Sequence, residues 1–266
     1  MFYPSVDSYG RSGAFALDVS RGLVAGHRSV IVFGFAPDVD TSEATVWPGA
    51  GLLAHPVSAL TLKVSSTNAN DTANGSGART VRVDGLDDNF DEISETVSLN
   101  GQTAVLTTQT FRRINYATVV TAGASNGSEG DIYFGTGTVT AGVPATVYEV
   151  VKYNYNNTIT AHYTIPAGYN GYIMQGLFSA GQPGGSAQVQ GRLMVSGPDN
   201  IRRTGAVTTV NNGVADYVFE FPLALPEKFD VEATAIGSSN NNSASAMFIL
   251  LLVKGIAQPG YGNPRS

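Results

Sequence analysis

Three histidines, His27, His55 and His162, are the residues of this chain best suited to acid–base or metal chemistry, and cysteine is absent altogether. The lack of thiols removes disulfides, thiolate nucleophiles and Cys-ligated zinc together. The histidines lie in different segments, none with a second histidine or a carboxylate at ligand spacing on the same strand. They read as three isolated side chains, because zinc needs three or four convergent ligands. Ser, His and Asp all occur, but no Gly-x-Ser-x-Gly elbow presents a nucleophile. Asp87, Asn89 and Asp91 alternate as at the start of a calcium loop, yet Glu92 stands where glycine is expected and Ser98 where the closing glutamate should be. That stretch reads as a polar hairpin turn whose side chains cap backbone N–H groups. Phe134-Gly-Thr-Gly-Thr-Val139 has neither phosphate-loop spacing nor a following helix and reads as a turn. No catalytic residue, cofactor or metal ligand is expected. Tyr148, Tyr153, Tyr155, Tyr163, Tyr169 and Tyr172 could form an aromatic platform for sugars, but tyrosines also fill cores and subunit interfaces.

The elements that would carry these residues are strands. The chain has 266 residues with 42% hydrophobic and only 14% charged, a net charge of -6, and 31 glycines. An average soluble protein has roughly 25% charged residues. Low charge with abundant Gly, Ser, Thr and Asn points to short strands joined by many turns. The acidic balance argues against nucleic acid as a direct partner, since phosphate binding needs clustered Lys and Arg. The longest apolar run, Met247 to Val253, is far short of the roughly 20 residues that cross a bilayer as a helix. The N-terminus has no charged-then-apolar leader pattern, so cytoplasmic synthesis is expected.

Residues 1–25 show no regular period and read as an irregular arm bearing Phe2, Tyr3, Tyr9 and Phe15. Ser29-Val-Ile-Val-Phe33 is a strand, redirected by the acidic corner from Pro37 through Asp38 to Asp40, and Trp47 follows. Alternation then marks strands at 60–65, 78–83, 92–99, 102–108, 111–121, 131–134 and 137–140. Asn100-Gly101, between two alternating runs, predicts a two-residue hairpin. A second series runs through 147–152, 158–165, 172–180, 187–196, 203–208, 217–221, 229–235 and 244–254, each bounded by Gly, Pro or Asn turns. The run Met247 to Val253 is apolar at every position and belongs in mid-sheet with both faces covered. The expectation is an all-β chain of two consecutive antiparallel β-sandwiches, jelly-roll-like, spanning 26–144 and 145–254. Extended arms at 1–25 and 255–266 flank them, the second carrying Tyr261.

Three stretches also resemble a known family: Gly26-His-Arg-Ser-Val-Ile-Val-Phe-Gly-Phe-Ala-Pro-Asp-Val-Asp-Thr with Val46-Trp47; Asn70-Asp-Thr-Ala-Asn-Gly-Ser-Gly-Ala-Arg-Thr-Val-Arg-Val-Asp-Gly-Leu86; and Asp91-Glu-Ile-Ser-Glu-Thr-Val-Ser-Leu-Asn-Gly-Gln-Thr-Ala-Val105. They are similar to virion structural proteins of tailed bacteriophages, most densely between about 20 and 145. The resemblance implies a non-enzymatic particle component, assembled in the bacterial cytoplasm. It would act as a capsid decoration or cement protein, or as a tail, collar or fibre-attachment protein. Its partners would then be copies of itself, a trimer being favoured, and the major capsid protein or tail proteins of the same particle. The residues expected at such interfaces are Phe2, Tyr3, Tyr9, Phe15, Pro37, Asp38, Asp40, Trp47 and Tyr261. A reading of another class is a carbohydrate-binding module that meets host glycan through Tyr153 or Tyr155.

Overall fold

A computed structural model describes residues 14–181 and 188–255. One short helix, α1 (Phe15–Ser20), precedes sixteen strands: β1 (His27–Val39), β2 (Ala44–Thr45), β3 (Leu60–Ser66), β4 (Ala78–Leu86), β5 (Glu92–Ser98), β6 (Val105–Phe111), β7 (Arg113–Ala122), β8 (Ile132–Thr140), β9 (Val143–Val151), β10 (His162–Thr164), β11 (Tyr169–Gly181), β12 (Val189–Ser196), β13 (Arg202–Val210), β14 (Gly213–Leu225), β15 (Asp230–Gly237) and β16 (Asn242–Lys254). The chain is all-β with antiparallel pairing, as its composition leads one to expect. The helix falls within the stretch read as irregular. It ends at Gly22, whose φ of 71° suits glycine, and it buries Asp18 and Val19.

Four sheets form. Sheet A has the order β1-β16-β11-β14 and sheet B the order β10-β15-β12-β13, with β2 added against β15. Sheet C runs β6-β3-β8-β9 and sheet D runs β5-β4-β7. Residues of A and B share one core, including Val32, Ile173, Val195, Val231, Phe248 and Leu250. Residues of C and D share a second, including Leu62, Val83, Phe111, Ile132 and Phe134.

The two units are not consecutive in the chain. The strand at 27–39 was expected in the first unit, but it pairs with β16 from His27↔Val253 to Ala36↔Ala244. The pairing aligns Val30, Val32 and Gly34 with Leu250, Phe248 and Ala246 on the core side. Sheets C and D are therefore an insertion between β1–β2 and β10. The boundary expected at 144/145 also moves, because β9 is the hairpin partner of β8 and belongs to the insertion. Gly34 makes the crossing possible. A Cβ there would stand 2.2 Å from the Val46 carbonyl oxygen and 2.4 Å from the Ala161 nitrogen, so backbone from both flanks of the insertion passes directly against β1.

Asn100-Gly101 does not close a hairpin. β5 pairs with β4 and β6 with β3, so the dipeptide carries the chain from one sheet to the other. Only Gly101 has positive φ, at 59°, whereas a type I′ turn needs it at both positions. The backbone here bonds instead to the preceding polar loop: Gly101 N donates to Asp71 O at 2.7 Å and Ala73 N to Leu99 O at 3.0 Å. Asp71 is fully buried, and its carboxylate accepts from Ser66 Oγ and from the Ala78, Glu129 and Gly130 N–H groups at 2.5–2.9 Å. Residues 131–134 and 137–140, read as two strands around a turn, are one strand, β8, with register shifts near Gly135.

Candidate functional site

Two surfaces stand out, an interior seam between the units and an exterior sheet face. The seam begins at Arg113 on β7. Its Nε and Nη2 donate to the two carboxylate oxygens of Asp230 on β15 at 3.0 and 2.9 Å, and its Nη1 donates to Pro56 O at 3.1 Å. Thr164 Oγ1 donates to Asp230 at 2.5 Å, and His162 Nε2 lies 3.5 Å from the same oxygen. The His55 ring packs on His162 with centroids 4.4 Å apart. Beside this, Asn115 and Thr164 exchange two hydrogen bonds of 2.9 and 3.0 Å, and Ala167 N donates to Phe90 O. At the rim Arg28 pairs with Glu92 and lies over the Tyr169 ring.

Electrostatics follow from this packing. Burial alone would raise the Asp230 pKa, but the hydrogen bonds and charges of His162 and Arg113 outweigh it and hold the group well below the usual carboxylate range. Burial, then His162, hold the His55 imidazole well below its ordinary value, offset in part by Asp230. Glu149, on β9, is pushed up to about 7 by burial, although Thr160 Oγ1 and Val150 N donate to it. Two of the histidines read as isolated thus meet across the seam, a contact between segments that no local spacing signals. His27 stays apart at the start of β1, its Nδ1 3.0 Å from Ala25 O. Among the described residues no group of three or more His, Asp or Glu side chains is placed to hold a metal ion.

The exterior face belongs to sheet A. Its four strands each have 13 residues. β16 alternates regularly, with Ala244, Ala246, Phe248, Leu250 and Leu252 buried and Met247, Ile249, Leu251 and Val253 half-buried. The expectation that both faces of this run are covered is thus met on one side only within the described residues. Across the outer face Ile31 aligns with Ile249 and Phe33 with Met247, and Met247 in turn with Leu177. Leu251 aligns with Tyr172, and Gln175 carries the Ile249 row on to Val218. Ile31 is 67% exposed and Val218 74%. The outer face of sheet B is different, since Arg192, Arg202, Glu43 and Glu232 form a network of ion pairs there.

The residues expected at interfaces divide. Trp47 is buried with Leu53 and Val150, and its Nε1 donates to Gly51 O at 3.0 Å. It is a packing residue of the interior and offers no surface to a partner. Pro37 and Asp38 are exposed at a bulge near the end of β1, so the acidic corner is an irregularity within the strand and not its end. Asp40 is tied down, its carbonyl accepting from Gly237 N and its carboxylate from Asn241 N. Phe15 is exposed on α1 and meets the His27 ring edge-on at 5.8 Å. Phe2, Tyr3, Tyr9 and Tyr261 lie outside the described residues. The polar turn at Asp87 behaves as read: its Oδ1 accepts from the Asn89 and Asp91 N–H groups. The tyrosines do not form one platform. Tyr163 is buried, Tyr172 lies on the outer face of sheet A, and Tyr153 and Tyr155 are exposed on the insertion.

No family model and no curated protein matches the chain. Among solved structures, an isomalto-dextranase of Arthrobacter globiformis T6 in complex with panose is 11% identical over 85% of this chain, with a TM-score of 0.25. The chain spans 35% of that enzyme. The infectious bursal disease virus Gx strain structure is 12% identical over 88% of this chain and 73% of its own, at a TM-score of 0.24. The VP2 subviral particle of the same virus gives 9% identity, 86% and 72% coverage, and a TM-score of 0.23. Likenesses this low carry no functional argument.

Proposed function

We propose that this chain is a non-enzymatic structural protein of a virus particle, whose copies associate through the outer face of sheet A. The observation that carries the reading is that face. Four strands of 13 residues at about 3.3 Å per residue and about 4.8 Å between strands make a surface of about 43 by 19 Å, or about 800 Å². That is close to the roughly 800 Å² that each partner buries in a standard interface. Its central rows are apolar but for Gln175, whose Nε2 donates to Asp216, the charged residue aligned on the face opposite Leu177. Asp216 lies on the edge strand β14, so a second copy packing on the apolar rows of β1, β16 and β11 leaves that charge at the rim, whereas the ion-paired face of sheet B would bury several.

In this reading each sheet pair is a β-sandwich, and A with B is a jelly roll. Counting β1 and β10–β16 as strands one to eight, one pairs with eight, two with seven, three with six and four with five. That nesting is what a long antiparallel ribbon wrapped into two sheets produces, and it supports the assignment. Jelly rolls serve capsids and lectins alike, so the fold does not choose the function. The placement on a tailed-phage capsid, as a decoration or cement protein, rests on the sequence resemblance. Quantitative mass spectrometry of purified particles tests it. Hundreds of copies per particle support the capsid. A few or a dozen copies would move the protein to the tail, collar or fibre, and absence from the particles would overturn the structural reading.

A further inference from the structure

On the insertion, residues 123–130 and the turn at 152–157 enclose a polar recess of about 450 Å³, lined by Asn126, Ser128, Glu129, Tyr153, Asn154 and Asn156 among others. We propose that this recess binds a neutral saccharide. The inference goes beyond the structural role above and does not depend on it.

The walls are fixed before any ligand arrives. Val119 N donates to Asn156 O, Ser125 N to Ser76 O, and Tyr153 N to the Asp131 carboxylate, at 2.8–2.9 Å. The Asn156 side chain joins the two segments, its Oδ1 accepting from Ser128 N at 2.8 Å. A Cβ at Gly127 would stand 2.6 Å from that amide, so a larger residue there would displace the Asn156 side chain. The Glu129 carboxylate accepts from Ser76 Oγ at 2.6 Å and Asn70 Nδ2 at 2.7 Å, and from Ser125 Oγ. The hydrogen bonds from Ser125, Ser76 and Asn70 hold it ionised and oriented. A site ordered in advance loses little entropy on binding.

Within this rigid frame several polar groups are unused. The side-chain amides of Asn126 and Asn154 and the Tyr153 hydroxyl make no hydrogen bond among the described residues. Ser128 Oγ also has no partner among them, but it is closed off from the recess and is not among the groups a ligand would meet. Amides supply paired donors and acceptors at one planar group, which matches the adjacent hydroxyls of a sugar ring. The Tyr153 ring is 51% exposed, and its electron-rich face suits the C–H face of a pyranose. The lining contains Glu129 and no Lys or Arg, so uronates, sialic acids and phosphates are disfavoured by charge. Free polar groups converging beside an aromatic face are what a ligand site shows and a solvated loop cluster need not.

The test is saturation-transfer NMR with glucose, galactose, mannose and N-acetylglucosamine, together with an array of neutral and anionic oligosaccharides. The expected result is transfer to the ring protons of at least one neutral sugar, with affinity reduced 10-fold or more by Tyr153→Ala and by Asn154→Ala. Tyr153→Phe should retain most of the binding. Tyr155→Ala, which alters an exposed tyrosine outside the recess, should leave it unchanged. These side chains are exposed, so unaltered amide spectra separate lost binding from lost folding. No response to any neutral sugar, binding restricted to anionic glycans, or binding unchanged in both Tyr153→Ala and Asn154→Ala would overturn the proposal.

Discussion

Arg113 and Asp230, 117 positions apart, meet in a buried two-point ion pair that ties the inserted unit to sheet B. Breaking one partner of such a pair costs about 3–5 kcal/mol, because the other charge is left buried without compensation. Asp230→Asn is expected to lower stability by about that amount, lost as a lower urea midpoint. A loss below about 1 kcal/mol would mean that water reaches the seam and that the pair behaves as a surface ion pair.

Much of the strand content, and little of the pairing, is legible in the sequence. Alternation at 60–65 and 78–83 marks most of β3 and β4, because each strand has one face more buried than the other and side chains alternate between faces. The partner of β1 lies more than 200 positions away, and local pattern favours a neighbour. Asn100-Gly101 carries the chemistry of a hairpin, but the loop around Asp71 takes its hydrogen bonds and the two strands go to different sheets. Trp47 looks like an interface residue by type and turns out to be interior. The seam is a tertiary meeting of β7, β10 and β15 and the polar recess one of two loops, and only the polarity of 122–130 and the tyrosines near 153 hinted at the second.

Acid should weaken the fold through His55 and Asp230, which face each other, His162 and Arg113 at the seam. The His55 pKa is lowered in the fold, so the unfolded chain binds more protons below about pH 6.5. The stability from neutral His55 is complete above that pH and is lost as pH falls. Asp230 is lowered too, so its contribution is complete above about pH 4 and is lost below. Glu149 acts in the opposite sense. Raised to about 7 in the fold, it favours the folded state below the usual glutamate pKa of about 4.3 and loses that contribution as pH rises through 7. Between about pH 4.3 and 7 the rise from His55 and the fall from Glu149 therefore oppose each other, and urea midpoints from about pH 7 to 9 should be nearly flat for these groups. Glu149→Gln should remove the opposing fall, so that its midpoint climbs more steeply from about pH 5 to 7 than that of the native chain and runs parallel to it above about pH 8. Parallel curves for the variant and the native chain from about pH 5 to 7 would contradict this.

Two glycines of sheet A should respond differently to alanine. At Gly34 a Cβ collides with backbone on two sides, at 2.2 and 2.4 Å, so neither neighbour can yield cheaply. At Gly176 the nearest atom is 3.9 Å away. Gly34→Ala is expected to lower the melting temperature strongly or abolish soluble expression, while Gly176→Ala stays near the native value. Equal tolerance at both sites would show that Val46 and Ala161 do not pass against β1 as described.

The claim that copies of this chain meet through the outer face of sheet A is tested most directly by sedimentation equilibrium of the native chain, of Ile31→Lys with Val218→Lys, and of a chain beginning at Ala14. Ile31 and Val218 are largely exposed, so the substitutions leave the core intact. Val120→Lys, on β7 of the insertion, changes a valine that is 51% exposed and lies away from the face. The native chain, the Val120→Lys variant and the chain beginning at Ala14 should sediment as one and the same oligomer, a dimer where the face packs on itself alone, and the double variant as a folded monomer. A native chain that is monomeric at about 100 μM, or a double variant that assembles normally, would contradict the account, and dissociation of the Ala14 chain alone would assign the contact to residues 1–13 instead.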